Sequence, residues 1–230
     1  MLCLKDVSKV YNRRNQDVVA FQIKSLEVRP TDFVAIVGPS GSGKSTLLSM
    51  LGGMLAPSSG AVWFHNQSIY DLPVKERTRL RREKIGFVFQ TFNLVPYLTA
   101  LENVQVPLFL NGVARHDQQI RASALLERVG LDGRFHHKPS ELSVGQQQRV
   151  ALARTLANEP ELILADEPTG NLDPESRGQV LTFLDELNRS GRTIVMVTHD
   201  PNAADRAQRI LSLQEGTVVE DRQNRLHNAA

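Results

Sequence analysis

Four short apolar runs punctuate the chain: DFVAIVG at 32–38, KIGFVFQ at 84–90, ELILAD at 161–166 and TIVMVTH at 193–199. Each is continuous, rich in Val, Ile or Phe, and gives way at once to polar or turn residues. That pattern predicts strands buried on both faces of a parallel sheet, with ligands gathering at their C-terminal ends. Two other segments, LCLKDVSKV at 2–10 and FQIKSLEV at 21–28, alternate apolar with polar residues and predict antiparallel strands. GAVWFHNQ at 60–67 adds a hairpin with its turn around Asn66. From about Thr91 to Ala157 the period changes to that of helices: LTALENV, RHDQQIRASALLERVG and VGQQQRVALARTLA, with Gly112 and Gly130 as stops and Pro139 ahead of the last. The expected architecture is α/β: a mostly parallel core sheet flanked by helices, an antiparallel β edge, and an inserted α-helical subdomain. Its boundaries are 1–90 and 158–220 for the edge and core, 91–157 for the helical subdomain, and 221–230 for a tail.

A chain of 230 residues suits one domain with an insertion and is short for two. With 27 Lys+Arg against 25 Asp+Glu the net charge is only +2, so no global field invites nucleic acid. Local charge gathers in KERTRLRREK, Lys75 to Lys84, where Glu76 and Glu83 interrupt a basic helix face that reads as solvated, a partner patch being the alternative. The single Cys3 can form no intrachain disulfide and no zinc site by itself, which fits the cytosol. Lys5 and Asp6 interrupt any signal-peptide core, and no apolar run approaches the ~18 residues that span a bilayer. Any membrane role is expected to come through a partner.

The first apolar run leads into Gly38, Pro39, Ser40, Gly41, Ser42, Gly43, Lys44, Ser45 and Thr46, a full match to G-x-x-x-x-G-K-[ST] between a strand and an apolar helix pattern. Glycines let successive N–H groups curl inward, and the helix N-terminus adds partial positive charge, so the loop is shaped for a polyphosphate. Lys44 is expected to reach the β- and γ-phosphates of ATP, and Ser45 to ligate Mg²⁺. The run ending in Asp166 supplies a second metal anchor. Glu167, one residue farther out, is placed to deprotonate the attacking water. Gln90 and His199 end two further runs, so both face the same sheet edge: Gln90 toward the metal or its water, His199 toward the γ-phosphate.

Leu142-Ser143-Val144-Gly145-Gln146 opens the last helix of the insertion. Ser143 and Gln146 form an S-x-x-Q capping box, Gly145 allows close backbone approach, and the Ser143 hydroxyl is free to donate to a phosphate oxygen. LSVGQQQRVALARTLANEP resembles the signature motif and helix of ABC ATPases, followed at family spacing by the strand that ends in Asp166. The whole chain is similar to that family. The resemblance implies a P-loop NTPase fold of ABC type with a RecA-like core, in which the signature of one subunit closes on the phosphate loop of a second copy around two ATP. Asn171-Leu172-Asp173 matches the loop that crosses the dimer seam, although Asp173-Pro174 also reads as a helix N-cap with Pro at the first position. Tyr11 matches the aromatic that stacks on adenine. One departure is Val144, where the family usually has Gly; it adds bulk beside the γ-phosphate contact.

Within the family, DEPTGNLD and FNLVPYLTALENVQVPLFLNG look most like the lipoprotein-release, macrolide-export and FtsE-type group. That similarity implies integral membrane permease subunits of the MacB/FtsX-like type as partners, a peripheral position on the cytoplasmic face of the membrane, and no nucleic acid. Phe92, Leu94, Val95, Pro96, Tyr97 and Leu98 form a stretch more apolar than a free loop needs, which suits either a groove for a permease helix or packing of the insertion onto the sheet. The alternative function is a soluble ABC ATPase acting on nucleic acid or ribosomes; such proteins usually carry a coiled-coil insertion, zinc cysteines or a tandem ATPase, none of which is found in this sequence.

Overall fold

A computed structural model describes residues 1–13 and 16–224. The elements in chain order are β1 (Leu2–Arg13), β2 (Gln16–Val28), β3 (Phe33–Val37), α1 (Lys44–Leu51), β4 (Ser59–Phe64), β5 (Gln67–Ser68), α2 (Val74–Lys84), β6 (Ile85–Phe89), α3 (Ala100–Leu110), α4 (Arg115–Arg128), α5 (Val144–Leu156), β7 (Leu162–Asp166), α6 (Pro174–Arg189), β8 (Thr193–Val197), α7 (Pro201–Ala204), β9 (Arg209–Gln214) and β10 (Thr217–Gln223). Among the described residues no helix is long and apolar enough to cross a membrane.

The four apolar runs are β3, β6, β7 and β8, and they pair in parallel as neighbours in a six-stranded sheet of order β10-β9-β3-β8-β7-β6. Their continuous hydrophobicity has a direct cause. Phe33, Ala35, Ile163, Ala165, Ile194 and Met196 face one core, while Val34, Ile36, Leu162, Leu164, Val195 and Val197 face the other. The first core is filled by α3 to α7, so residues 91–157 share it with the sheet; the second is filled by α1 and the antiparallel sheet β2-β1-β4-β5. The hairpin between β4 and β5 turns at His65 and Asn66, as its sequence indicates.

Two strands fall outside the sequence reading. β9 lies parallel to β3 on the side away from β8, and β10 is the antiparallel edge beyond it. β10 runs through Gln223, so residues 221–223 of the expected tail belong to the sheet; residues 225–230 of that tail lie outside the described residues. In the apolar stretch after Gln90, Phe92 and Leu94 pack against the core, as the packing alternative expects, while Tyr97 is 77% exposed.

Candidate active site

Register alone brings the polar strand ends together. Phe89 pairs with Asp166, Asp166 with Val197 and Val197 with Ile36, so Gln90, Glu167, the residues after Val197 and the loop from Gly38 all leave the sheet along one edge. A cleft of about 530 Å³ opens there, lined by Gly38, Pro39, Ser40, Gly41, Gly43, Lys44, Ser45, Thr46, Gln90, Asp166, Glu167 and His199, with Ala20 of β2 as a further wall. Ser42 does not line it; that side chain is buried.

The phosphate loop is held in place by its neighbours. A Cβ on Gly38 would collide with the Leu213 carbonyl oxygen of β9, and one on Gly43 with the Ala20 carbonyl oxygen of β2, so neither position admits a side chain. Lys44, at the start of α1, is buried and curls back over its own loop, its ammonium donating to the Gly38 and Pro39 carbonyls at 2.9 and 2.8 Å. An incoming phosphate offers that ammonium a charged acceptor in place of two neutral ones. The Ser45 hydroxyl donates to Asp166 Oδ1 at 3.4 Å. Burial pushes the Asp166 carboxyl above the usual carboxylate range, against the Ser45 hydrogen bond, while the nearby Glu167 charge pushes the same way and Lys44 pulls it down. A carboxylate disfavoured by burial next to a serine oxygen is a pair of hard oxygen donors short of a cation, which fits Mg²⁺.

Glu167 sits at φ 49°, a region that non-glycine residues rarely occupy. Its amide donates to the Val197 carbonyl at 2.9 Å, and its Oε2 lies 2.5 Å from Nδ1 of His199. His199 is therefore turned onto the candidate base, with 68% of its side chain exposed on the cleft side of the sheet edge. Gln90 is exposed, and its carbonyl accepts from Asn171 Nδ2 at 3.2 Å, tying it to the segment after Glu167. The next turn carries two consecutive positive φ values, at Phe92 and Asn93, and Arg154 of α5 pins both carbonyls, at 2.6 and 2.5 Å.

The remaining expected site residues lie elsewhere. Tyr11 is on β1, 37% exposed, with the Lys9 ammonium 5.3 Å from its ring; it does not line the cleft, and Ala20 does. Ser143, Gly145 and Gln146 open α5 outside the cleft. The capping box forms there: the Gln146 amide donates to Ser143 Oγ at 3.2 Å and the Ser143 amide to Gln146 Oε1 at 2.9 Å. Ser143 Oγ acts as acceptor in that bond, so its hydroxyl hydrogen remains available. Gly145 needs its missing side chain for a reason internal to the chain, because a Cβ would collide with the Ser176 side chain in the first turn of α6. Val144 is 46% exposed at the first turn of α5. Asp173 caps α6 by accepting from the Ser176 amide at 2.9 Å, with Pro174 following. Sequence reasoning did not single out Ala20, which stands in no motif, or Gln148, a fully buried amide within the signature segment that donates to the Pro168 carbonyl.

Comparison with known proteins agrees with this geometry. The ABC transporter family model matches residues 21–170. The chain is 44% identical to YvrO, an ABC transporter ATP-binding protein of Bacillus subtilis, over the full length of both. It is 45% identical to the macrolide export ATP-binding/permease protein MacB of Hyphomonas neptunium over 96% of this chain, but it spans only 34% of that relative's length. A solved dimeric structure of the cassette MJ0796 in a post-hydrolysis state, bound to ADP and Pi, superposes with a TM-score of 0.91 at 44% identity, covering 98% of this chain and 99% of that one. MJ0796 itself, from Methanocaldococcus jannaschii, is 46% identical over 95% of each chain. With the phosphate loop, the paired carboxylates and the histidine converging on one sheet edge, the chain belongs to the ABC transporter family, as an ATP-binding and ATP-hydrolysing subunit.

Proposed function

We propose that two copies of this chain close around two molecules of ATP and that their closing and opening drives integral membrane subunits of the MacB/FtsX-like type, for export, lipoprotein release or mechanical signalling. The observation that carries the reading is an incomplete site. Phosphate loop, Asp166, Glu167 and His199 share one cleft, whereas the capped N-terminus of α5, with the Ser143 hydroxyl hydrogen available, stands outside it. A second copy supplies that missing wall, and the dimeric state of the related MJ0796 cassette supports the arrangement.

In this reading Lys44 and the loop amides hold the β- and γ-phosphates, with Ser40, Gly41, Ser42, Gly43 and Thr46 shaping the cradle. Tyr11 is available to stack on the base. Ser45, Asp166 and Gln90 would hold Mg²⁺, which when bound neutralises phosphate charge as the leaving group departs. Glu167 takes a proton from water as the oxygen bonds to the γ-phosphorus. The bond from phosphorus to the β–γ bridging oxygen breaks, and ADP and inorganic phosphate result. His199 orients the Glu167 carboxylate and, through its exposed ring, the γ-phosphate. The permease contact is a groove of about 380 Å³ between β6, α3 and α5, floored by Phe87, Val106 and Pro107 and rimmed by Arg81 and Arg82 of α2. It suits a short apolar helix on the cytoplasmic face of the membrane.

The decisive variant is Glu167→Gln, which keeps size and hydrogen bonding but removes the basic carboxylate. Hydrolysis is expected to slow by about 10²–10⁴-fold, the usual loss for a general base. ATP then persists between two chains, so size-exclusion chromatography resolves an ATP-dependent dimer, while Lys44→Ala stays monomeric. Near-normal hydrolysis would remove Glu167 from its role, and a monomer with ATP bound would sink the sandwich.

A further inference from the structure

Behind the catalytic carboxylate lies a buried amide that the hydrolysis scheme does not use. Gln148, on α5, is 0% exposed. Its Nε2 donates to the Pro168 carbonyl at 2.6 Å, and its Oε1 is buried with no hydrogen-bond partner among the described residues. The desolvation of the unpaired oxygen offsets much of what the one hydrogen bond contributes, so stability alone is a weak reason for a Gln at this position. The contact it does make is with the residue after Glu167.

We propose that Gln148 is a positioning residue for Glu167, and that it lets α5 transmit to that carboxylate whether the opposing phosphate is held at Ser143. The inference rests on the two-copy reading above. Glu167 has a positive φ and is followed by proline, which narrows its backbone options further. Such a conformation persists only where its surroundings over-determine it. Three hydrogen bonds do so here: the Glu167 amide to Val197, the Gly170 amide to the Glu167 carbonyl at 3.1 Å, and Gln148 to Pro168. The first two belong to the sheet and the turn themselves. Gln148 alone of the three reaches in from the signature helix.

That helix is short and stiff over the span that matters. Ser143 caps it and Gln148 lies five residues on, about 7.5 Å along the axis at 1.5 Å per residue. Between them Gly145 is seated against Ser176 of α6, whose amide is fixed by Asp173. A displacement of the α5 N-terminus therefore reaches the Pro168 carbonyl without an intervening loop. Phosphate contact at Ser143 in one site thus bears on the geometry of Glu167 in the other.

The test compares Gln148→Met with the wild type, alone and in the Glu167→Gln background, by steady-state and single-turnover ATP hydrolysis, ATP affinity and melting temperature. Met removes the donor and the orphaned oxygen at nearly constant volume. Gln148→Met alone is expected to lower kcat by about ten- to a hundredfold, as misplacement of a catalytic group does. KM for ATP should stay within about twofold, melting should fall by no more than a few degrees for the unpaired Pro168 carbonyl, and the Hill coefficient should fall toward 1. In the Glu167→Gln background the same change is expected to cost less than about twofold, because two residues acting through one group are not additive. An equal loss in both backgrounds, or an unchanged kcat in a well-folded variant, would overturn the inference. Gln148→Leu repeats the comparison with a shorter side chain, and failure of both variants to fold would assign Gln148 to the fold and overturn it as well. Wild-type protein that does not hydrolyse ATP would instead sink the proposed function.

Discussion

Neighbouring residues at the start of α5 answer to different constraints. Gly145 is pressed against Ser176, and a methyl group there forces α5 and α6 apart. Gly145→Ala is expected to destabilise by about 1–3 kcal/mol, the usual range for overpacking. Ser176→Gly in the same chain should recover part of that loss, because it removes the atoms the methyl would meet. Val144, one residue earlier, is 46% exposed. Val144→Gly should therefore melt close to the wild type while raising ATPase modestly, by clearing side-chain bulk from the expected seam. Thermal melts with hydrolysis assays on the same preparations check both claims. A severalfold fall in turnover for Val144→Gly, or a Gly145→Ala protein as stable as the parent, would contradict them.

β10 is held little by burial, with most of its side chains exposed. Its anchor is Arg209 of β9, which pairs with both carboxylate oxygens of Asp221 at 2.7 and 2.6 Å and reaches the Glu27 carbonyl with a third donor. The guanidinium bond holds the Asp221 carboxyl below its ordinary value of 3.8, with burial opposing. A depressed carboxylate pKa stabilises the fold above the unfolded value and ceases to do so as pH falls through the folded one. Asp221→Asn should cost about 0.5 kcal/mol near neutral pH, discounted because the carboxylate is nearly half exposed, and the gap to the wild type should close well below pH 4. Denaturant titrations at several pH values would show it; a gap that widened in acid would reverse the sign of the argument. This edge of the sheet was also the least legible in the sequence. RILSLQ mixes apolar with polar residues because Arg209 and Ser212 pair outward, so it lacks the continuous run that marks β3 or β7. The phosphate loop, Asp166, Glu167 and His199 were legible because each follows such a run at a strand end. Ala20, Gln148 and Ser176 were not, since what matters about them is a contact made across the fold.

For the molecule as a whole, the sheet is built from distant pieces of chain. β3, which leads into the phosphate loop, is paired with β8 on one side and β9 on the other, Val37 opposite Ser212. Gly38 then packs on the Leu213 carbonyl, so the loop's first residue leans on a strand made long after it. On the ribosome this imposes an order. Some 175 residues separate Val37 from Ser212, the difference of their numbers, which at about 5–20 residues per second is on the order of ten seconds or more of translation. For most of that interval the cradle has its glycines and its lysine but neither flanking strand, since β8 ends only at Val197. A nascent chain arrested at residue 190 is expected not to retain a fluorescent ATP analogue that the released protein binds, and tight binding by the arrested chain would contradict this. Cellular ATP thus meets a working site only after β9 has been made, and a copy arrested before that point is expected neither to capture nucleotide nor to pair with a folded one.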